Sequence, residues 1–449
     1  MRFLSFRHLG FGAATLAGSL CFASGPGPTL VEAIKSGKWG IAESLIHNGA
    51  DVNIAQPDGS TPLHWAAYED SAELVVALLK AGAKPGTADD YGETPLTLAC
   101  ENGDARVIRQ LLAAGADPNA ARWNGETALM VASRTGSPEA VSALIAAGAN
   151  MNATEHLKGQ NALMWAAAEG HSDVIGLLLK AGADPAMASK AGSTPLGFAA
   201  AHDNPAPLEA LLAGGAKIDA AGSAGSTALS TAVSASNEKV VSFLLGKGAD
   251  ANTRDRAGNS PIHSAAQTGN LNILKMLIDA RADVNATGTA APAGSATPRR
   301  GGGGSGQTAL LIAARGGRLD VLQALIHAGA DPTIKGADGT TLLMAAAASG
   351  KLNVVEYAFQ IDSDVHAENN AAQTALHMAV TGSSGESGRV IQFLAEKGAE
   401  LDLPDSSGKT PLDIAIADGN HTDNVILLRR LIAASGKTPR DHQQQLPNN

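Results

Sequence analysis

The sequence predicts an all-α repeat solenoid of about twelve helix–turn–helix units, and three observations predict it. First, a unit opening TPLHWAA at Thr61 returns as TPLTLAC at Thr94 and TPLDIAI at Thr410, with intervening copies opening at Thr127, Asn161, Thr194, Thr227, Ser260, Thr308, Thr341 and Thr374. Successive spacings are 33, 33, 34, 33, 33, 33, 48, 33, 33 and 36 residues, and an in-phase copy without the Thr-Pro pair starts at Pro28. A fixed period of this size marks units that stack on their neighbours. Second, each period holds two short stretches with apolar residues at helical spacing. Third, Gly recurs where a helix must stop and where a turn needs positive φ.

The unit from Thr61 to Glu93 shows each element in order. Thr61 is suited to an N-cap, and Pro62 to the first helical position, where its missing N–H costs nothing. Leu63, Ala66 and Ala67 give a small-residue face that lets neighbouring backbones approach. A turn over Glu69–Ser71 follows; most other units place Gly where Asp70 stands, as at Gly103, Gly136, Gly170, Gly269 and Gly350. A second helix is predicted over Glu73–Ala81, with Gly82 as its left-handed stop and Gly92 in a polar turn after it. One helix pair buries too little apolar surface to order itself, so each unit depends on the next. The end units therefore need polar outer faces, supplied by Glu32, Lys35 and Lys38 at one end and by Arg429 and Arg430 at the other.

The residues T-P-L-H-W-A-A, then L-V-V-A-L-L-K-A-G-A, then the D-x-x-G-x-T link at Asp89–Thr94, resemble the ankyrin repeat, and the resemblance covers roughly residues 28–435. It implies an ankyrin array with hairpin-like fingers, a concave binding face, and a role in holding other proteins. His64, His263 and His377 occupy one repeat position, where the family uses His to hydrogen-bond backbone between repeats.

The ends and composition bound the rest. Arg2 and Arg7 precede an apolar run from Leu9 to Leu20, and Cys21 and Ala23 are small residues before a cut after Ala23. This pattern is that of a cleaved secretory signal, placing the mature chain in the periplasm or outside the cell. A buried first helix and a lipoprotein anchored at Cys21 are the alternatives. No other segment is long and apolar enough to span a membrane. The expected division is signal 1–23, N-terminal capping repeat 28–60, repeats 61–286, insertion 287–306, repeats 308–409, C-terminal capping repeat 410–435 and disordered tail 436–449.

Loss of residues 1–23 removes two Arg and no acid, taking the formal charge from −10 to −12. That balance argues against nucleic acid, which needs clustered cations, and suits a partner protein with a basic surface. Only Cys100 then remains, at a packing position, so no internal disulfide forms.

Unit eight carries a Gly/Ala/Ser/Pro-rich insertion within Ala286–Gly306 that includes Arg299 and Arg300. Its composition predicts a mobile loop. The alternative is that it divides the array into two rigid segments, Pro28–Ala286 and Thr308–Ser435. Unit ten is the least regular, with Asp362 and Ala372 where Gly is usual and added bulk at Tyr357 and Phe359; unit eleven lengthens its inter-helix turn over Gly382–Gly388.

No phosphate loop, Cys-x-x-Cys, HExxH or Gly-x-Ser-x-Gly motif occurs, so no enzyme, cofactor or metal is expected. His171 sits in a recurring turn, and paired acids such as Asp89 and Asp90 belong to solvated turns. Positions that vary between internal copies are free for recognition. In the first three full units they hold Asp58, Tyr68 and Glu69; Asp90, Tyr91, Glu93 and Glu101; and Trp123, Glu126 and Arg134. These also match the surface positions that the resemblance implies for binding. Exposed aromatics ringed by acids predict an interaction hot spot with an acidic rim. Trp65 and Trp165 fall at an apolar position of the first helix and are assigned to the core; Arg254 and Arg256 form a lesser basic pair. The expected function is a non-catalytic binding module, favoured as a monomer with its oligomeric state open. A multi-partner envelope scaffold and an effector- or immunity-type inhibitor of a partner enzyme are the alternatives.

Overall fold

The computed structural model describes residues 29–288, 306–382, 384–419 and 422–435. Among them lie 24 α-helices in twelve pairs and no strand beyond two isolated bridges, Ala121 with Thr127 and Thr287 with Thr308. First helices pack on the first helices of adjacent units and second helices on second helices, giving two layers around one continuous core. The proposed signal segment lies outside the described residues.

In the unit opening at Thr61 the first helix is Pro62–Tyr68 and the second Ala72–Lys80. The N-cap is tied by a reciprocal bond. Thr61 N–H donates to His64 Nδ1 at 3.1 Å, which leaves the ring proton on Nε2, 3.1 Å from the Glu93 carbonyl of the next finger. Thr97 does the same capping task in unit three, accepting from Thr94 N–H at 2.8 Å. Leu63, Ala66, Ala67, Val75 and Leu78 are fully buried. Gly82 stops the second helix at φ +90°, and Ala83 N–H returns to the Leu78 carbonyl. Cys100 is fully buried, and burial pushes its thiol far above the ordinary range, which keeps it inert.

Asparagines clip units together along the loops. Asn53 donates to the Gly82 carbonyl and accepts from Lys84 N–H. Asn285 makes the same clip across the insertion, to the Gly329 carbonyl at 3.3 Å and from Asp331 N–H at 2.7 Å. Helix Pro261–Thr268 packs against helix Ala309–Arg315. The array is therefore continuous there and is not split into two segments. Residues 289–305, where a mobile loop was expected, lie outside the described residues.

Two other expectations change. In unit ten the second helix runs on to Ile361 and Asp362 is extended at φ −126°, so this helix ends without a left-handed residue; Ala372 does take the left-handed turn, at φ +53°. Phe359 meets Phe393 edge-on at 5.6 Å, which carries the stack through the irregular unit. At the ends, Lys35 lies over the Trp65 ring at 4.1 Å, and Trp39, Ile41, Ile416 and Ile426 are exposed, so the outer faces are mixed and not simply polar.

Candidate interaction surface

Most finger turns are built by a side-chain oxygen bonding its own backbone, often a carboxylate. In unit two, Asp89 Oδ1 accepts from Tyr91 N–H at 2.9 Å and Glu93 N–H at 2.8 Å. Gly92 closes the turn at φ +76°, and a Cβ there would stand 3.1 Å from Arg122 Cα and Trp123 N. This tight turn throws Tyr91 outward, 63% exposed, and brings Trp123, 67% exposed, beside it. Trp123 N–H donates to the Tyr91 carbonyl at 3.2 Å, so the two aromatics share one junction.

Unit four has one residue more in its finger, and Glu155 replaces Asp as the clamp. Its longer side chain accepts from Leu157, Lys158 and Gln160 N–H groups. Burial works to raise its pKa, but those three donors outweigh it and hold the carboxyl below its ordinary value. The longer turn displays Leu157, 64% exposed, next along the edge from Trp123. Leu157 was not singled out from sequence; the signal was the lone 34-residue spacing.

Between these two clamps, unit three places Arg122 where an acid stands on either side. Asn124 takes over the turn, accepting from Glu126 N–H at 3.1 Å. The freed guanidinium reaches three carboxylates: Glu93 Oε1 at 2.6 Å from Nε, Glu101 Oε1 at 2.6 Å from Nη2 and Glu126 Oε2 at 2.9 Å from Nη1. The Nε contact is an ion pair not aligned as a hydrogen bond. The Arg122 side chain is only 10% exposed. Burial opposes its charge, but Glu93 and Glu101 overcome that and raise its pKa further. Glu93 shifts upward, because burial outweighs its share of a guanidinium divided among three acids.

This hub corrects the expected acidic rim. Glu93 and Glu126 are half-buried and Glu101 is engaged, so these three do not stand free around the aromatics. Asp90 and Glu69 are exposed; Asp58 is half-buried and accepts from Ser60 N–H and hydroxyl. Arg134 lies 3.6 Å from Glu101 and 5.2 Å above the Trp165 ring, which is half-buried. Tyr68, 45% exposed, packs edge-on to Trp65 at 5.9 Å. Trp65 is buried, its indole N–H bonded to Gln56 and Ser60.

The candidate residues thus fall into two rows. Asp58, Asp90, Tyr91 and Trp123 lie on the finger edge; Tyr68, Glu69, Glu101 and Arg134 lie at the ends of first helices. Arg122 joins the rows by bridging a finger to Glu101. Among the described residues no group of His, Cys, Asp or Glu is arranged to hold a metal, and no helix is long and apolar enough to cross a membrane.

A family model described as ankyrin repeats (three copies) matches residues 30–122, 104–189, 196–288, 293–369 and 343–436. The chain belongs to the ankyrin-repeat family. No curated protein matches this ankyrin chain in sequence. Among solved structures it is similar to the ankyrin repeat domain of Bcl-3, described as a unique member of the IkappaB family, at 28% identity and a TM-score of 0.44 over 49% of this chain and 99% of that one. Ankyrin repeats generally mediate protein–protein interaction, and the fold is a typical non-catalytic scaffold.

Proposed function

We propose that this ankyrin array is an exported binding module that holds one partner protein against units one to four. The observation that carries the reading is the line of Tyr91, Trp123 and Leu157, each more than 60% exposed, on three consecutive fingers. Folding asks nothing of these side chains, since the turns are made by Asp89, Asn124 and Glu155. Large rigid aromatics on a pre-formed edge lose little entropy on binding and dominate interface energetics. The Arg122 hub fixes the fingers beneath them to the helix ends, which pre-organises the surface. Export rests on the Arg-flanked apolar run before Ala23.

Crosslinking in cells with mass spectrometry identifies the partner. Tyr91→Ala and Trp123→Ala are each expected to weaken its binding by about 1–3 kcal/mol with the melting temperature nearly unchanged. Undiminished affinity in the double variant would remove the patch as the site. N-terminal sequencing that finds intact Met1 on cytosolic protein would remove export.

A further inference from the structure

At seven junctions among the described residues neighbouring fingers touch through one backbone hydrogen bond, which sets two residues side by side. Asp90 N–H donates to the Asp58 carbonyl at 3.0 Å, Trp123 to Tyr91 at 3.2 Å, His156 to Asn124 at 2.7 Å, and Lys190 to Lys158 at 2.8 Å. The side chains at these junctions are sorted along the edge. Two carboxylates come first, then two aromatic rings, then an amide and an imidazole with Leu157 adjoining, then two ammonium groups. Later junctions pair Ala224 with Arg256, Asp338 with Asn370 and Ala371 with Ser406, without such order.

Like charges set side by side across a backbone pairing oppose folding. Each pair also has an opposite charge acting on it, Lys35 on Asp58 and Glu155 beside Lys158, while Lys190 Nζ donates to the neutral His156 carbonyl. Asp90 and Lys190 are exposed.

From this order we infer that the finger edge of units one to five binds a single segment of the partner protein, with cations at one end, apolar side chains at its centre and carboxylates at the other end. The inference rests on the reading that the finger face binds a protein, and it replaces a simply basic partner with a bipolar one. Three junction steps of two strand spacings each, at ~4.8 Å per spacing, span roughly 30 Å, which is about nine residues of extended chain. The segment's cations lie at Asp58 and Asp90, its apolar centre over the aromatics, and its carboxylates at the lysines. Each end of the segment meets exposed charge of opposite sign, at Asp90 and at Lys190, whereas a uniformly basic segment meets repulsion at Lys190.

The test pans a displayed library of random peptides on the full chain, on Y91A/W123A and on K158E/K190E, with circular dichroism confirming that each variant folds; K190E alone serves where the double variant melts early. Peptides enriched on the unaltered chain are expected to carry Lys or Arg and Asp or Glu on opposite sides of an apolar centre. Their binding should drop roughly tenfold or more on Y91A/W123A. On K158E/K190E, or on K190E in its place, the enriched set should shift to cations on both sides. If enriched peptides still need Tyr91 and Trp123 but are uniformly basic, or keep the same composition on the charge-reversed chain, the bipolar segment is overturned while the binding face stands. Enrichment that ignores both aromatics, or no enrichment at all, overturns both.

Discussion

The finger of unit two and those of units seven and eleven share a turn but not a display. Asp89 clamps the turn that carries Tyr91; Asp255 makes the same two bonds to carry Ala257, and Asp405 to carry Ser407. The backbone in each case closes with a positive-φ Gly. The difference teaches that the residue at the tip is decoupled from folding. A bulky apolar tip thus sits where folding leaves the side chain free, which supports the binding edge proposed on the early units.

The largest expected effect tests how firmly neighbouring fingers are seated. Gly92→Val should destabilise the array by more than about 3 kcal/mol, because left-handed strain adds to backbone contact with Arg122 and Trp123. Gly408→Val, where a Cβ meets nothing, should cost only the strain, about 1–3 kcal/mol. Urea denaturation showing equal losses would mean the fingers are not in close contact.

Next is the hub. Arg122→Ala leaves the half-buried Glu93 without its guanidinium and should cost about 3 kcal/mol. Adding Glu93→Gln should recover part of the loss. Arg254→Ala, on a later finger where the exposed side chain donates to the Thr287 carbonyl, should change stability by less than about 0.5 kcal/mol. Equal effects of Arg122→Ala and Arg254→Ala in thermal melts would erase the distinction between the two regions.

A smaller effect is set by pH. Burial holds the imidazoles of His64, His263 and His377 below their ordinary value, so the fold binds protons less readily than the unfolded chain. Their contribution is complete above about pH 6.5 and is lost as pH falls from there toward the depressed folded values. The melting temperature should therefore drop on going from pH 7.5 to 5.5. Replacing His64 by Thr, as Thr97 stands in unit three, should flatten that slope. Smallest of all, Ala372→Gly relieves a left-handed Ala and should raise stability by about 1 kcal/mol, read as a higher melting temperature.

Much of the fold was readable because its determinants are local. The Thr-Pro openings, the Gly stops and the His capping position repeat at one spacing, and each acts within a few residues. The aromatics of the candidate surface were readable for a related reason, since variation between internal copies marks positions that folding leaves free. The Arg122 hub was not. Its bonds to Glu93 and Glu101 run between units, and nothing in a string of acids says that one guanidinium gathers them. Leu157 was missed because its exposure follows from one added residue in a turn, which shifts what points outward without changing any motif.

The Asn285 clip has a consequence for the length of this protein. Thr287 bridges Thr308, and Gly288 N–H donates to the Gln307 carbonyl, so both ends of the insertion are tied to one spot. A chain pinned in this way is a side branch, and each doubling of its length costs only about 0.6 kcal/mol. The pitch of the coil is set by Asn285 and the helices on either side, whatever the branch contains. Finger eight is accordingly a port: a reporter or a second binding domain grafted there would travel with the array while the edge at Tyr91 and Trp123 kept its shape.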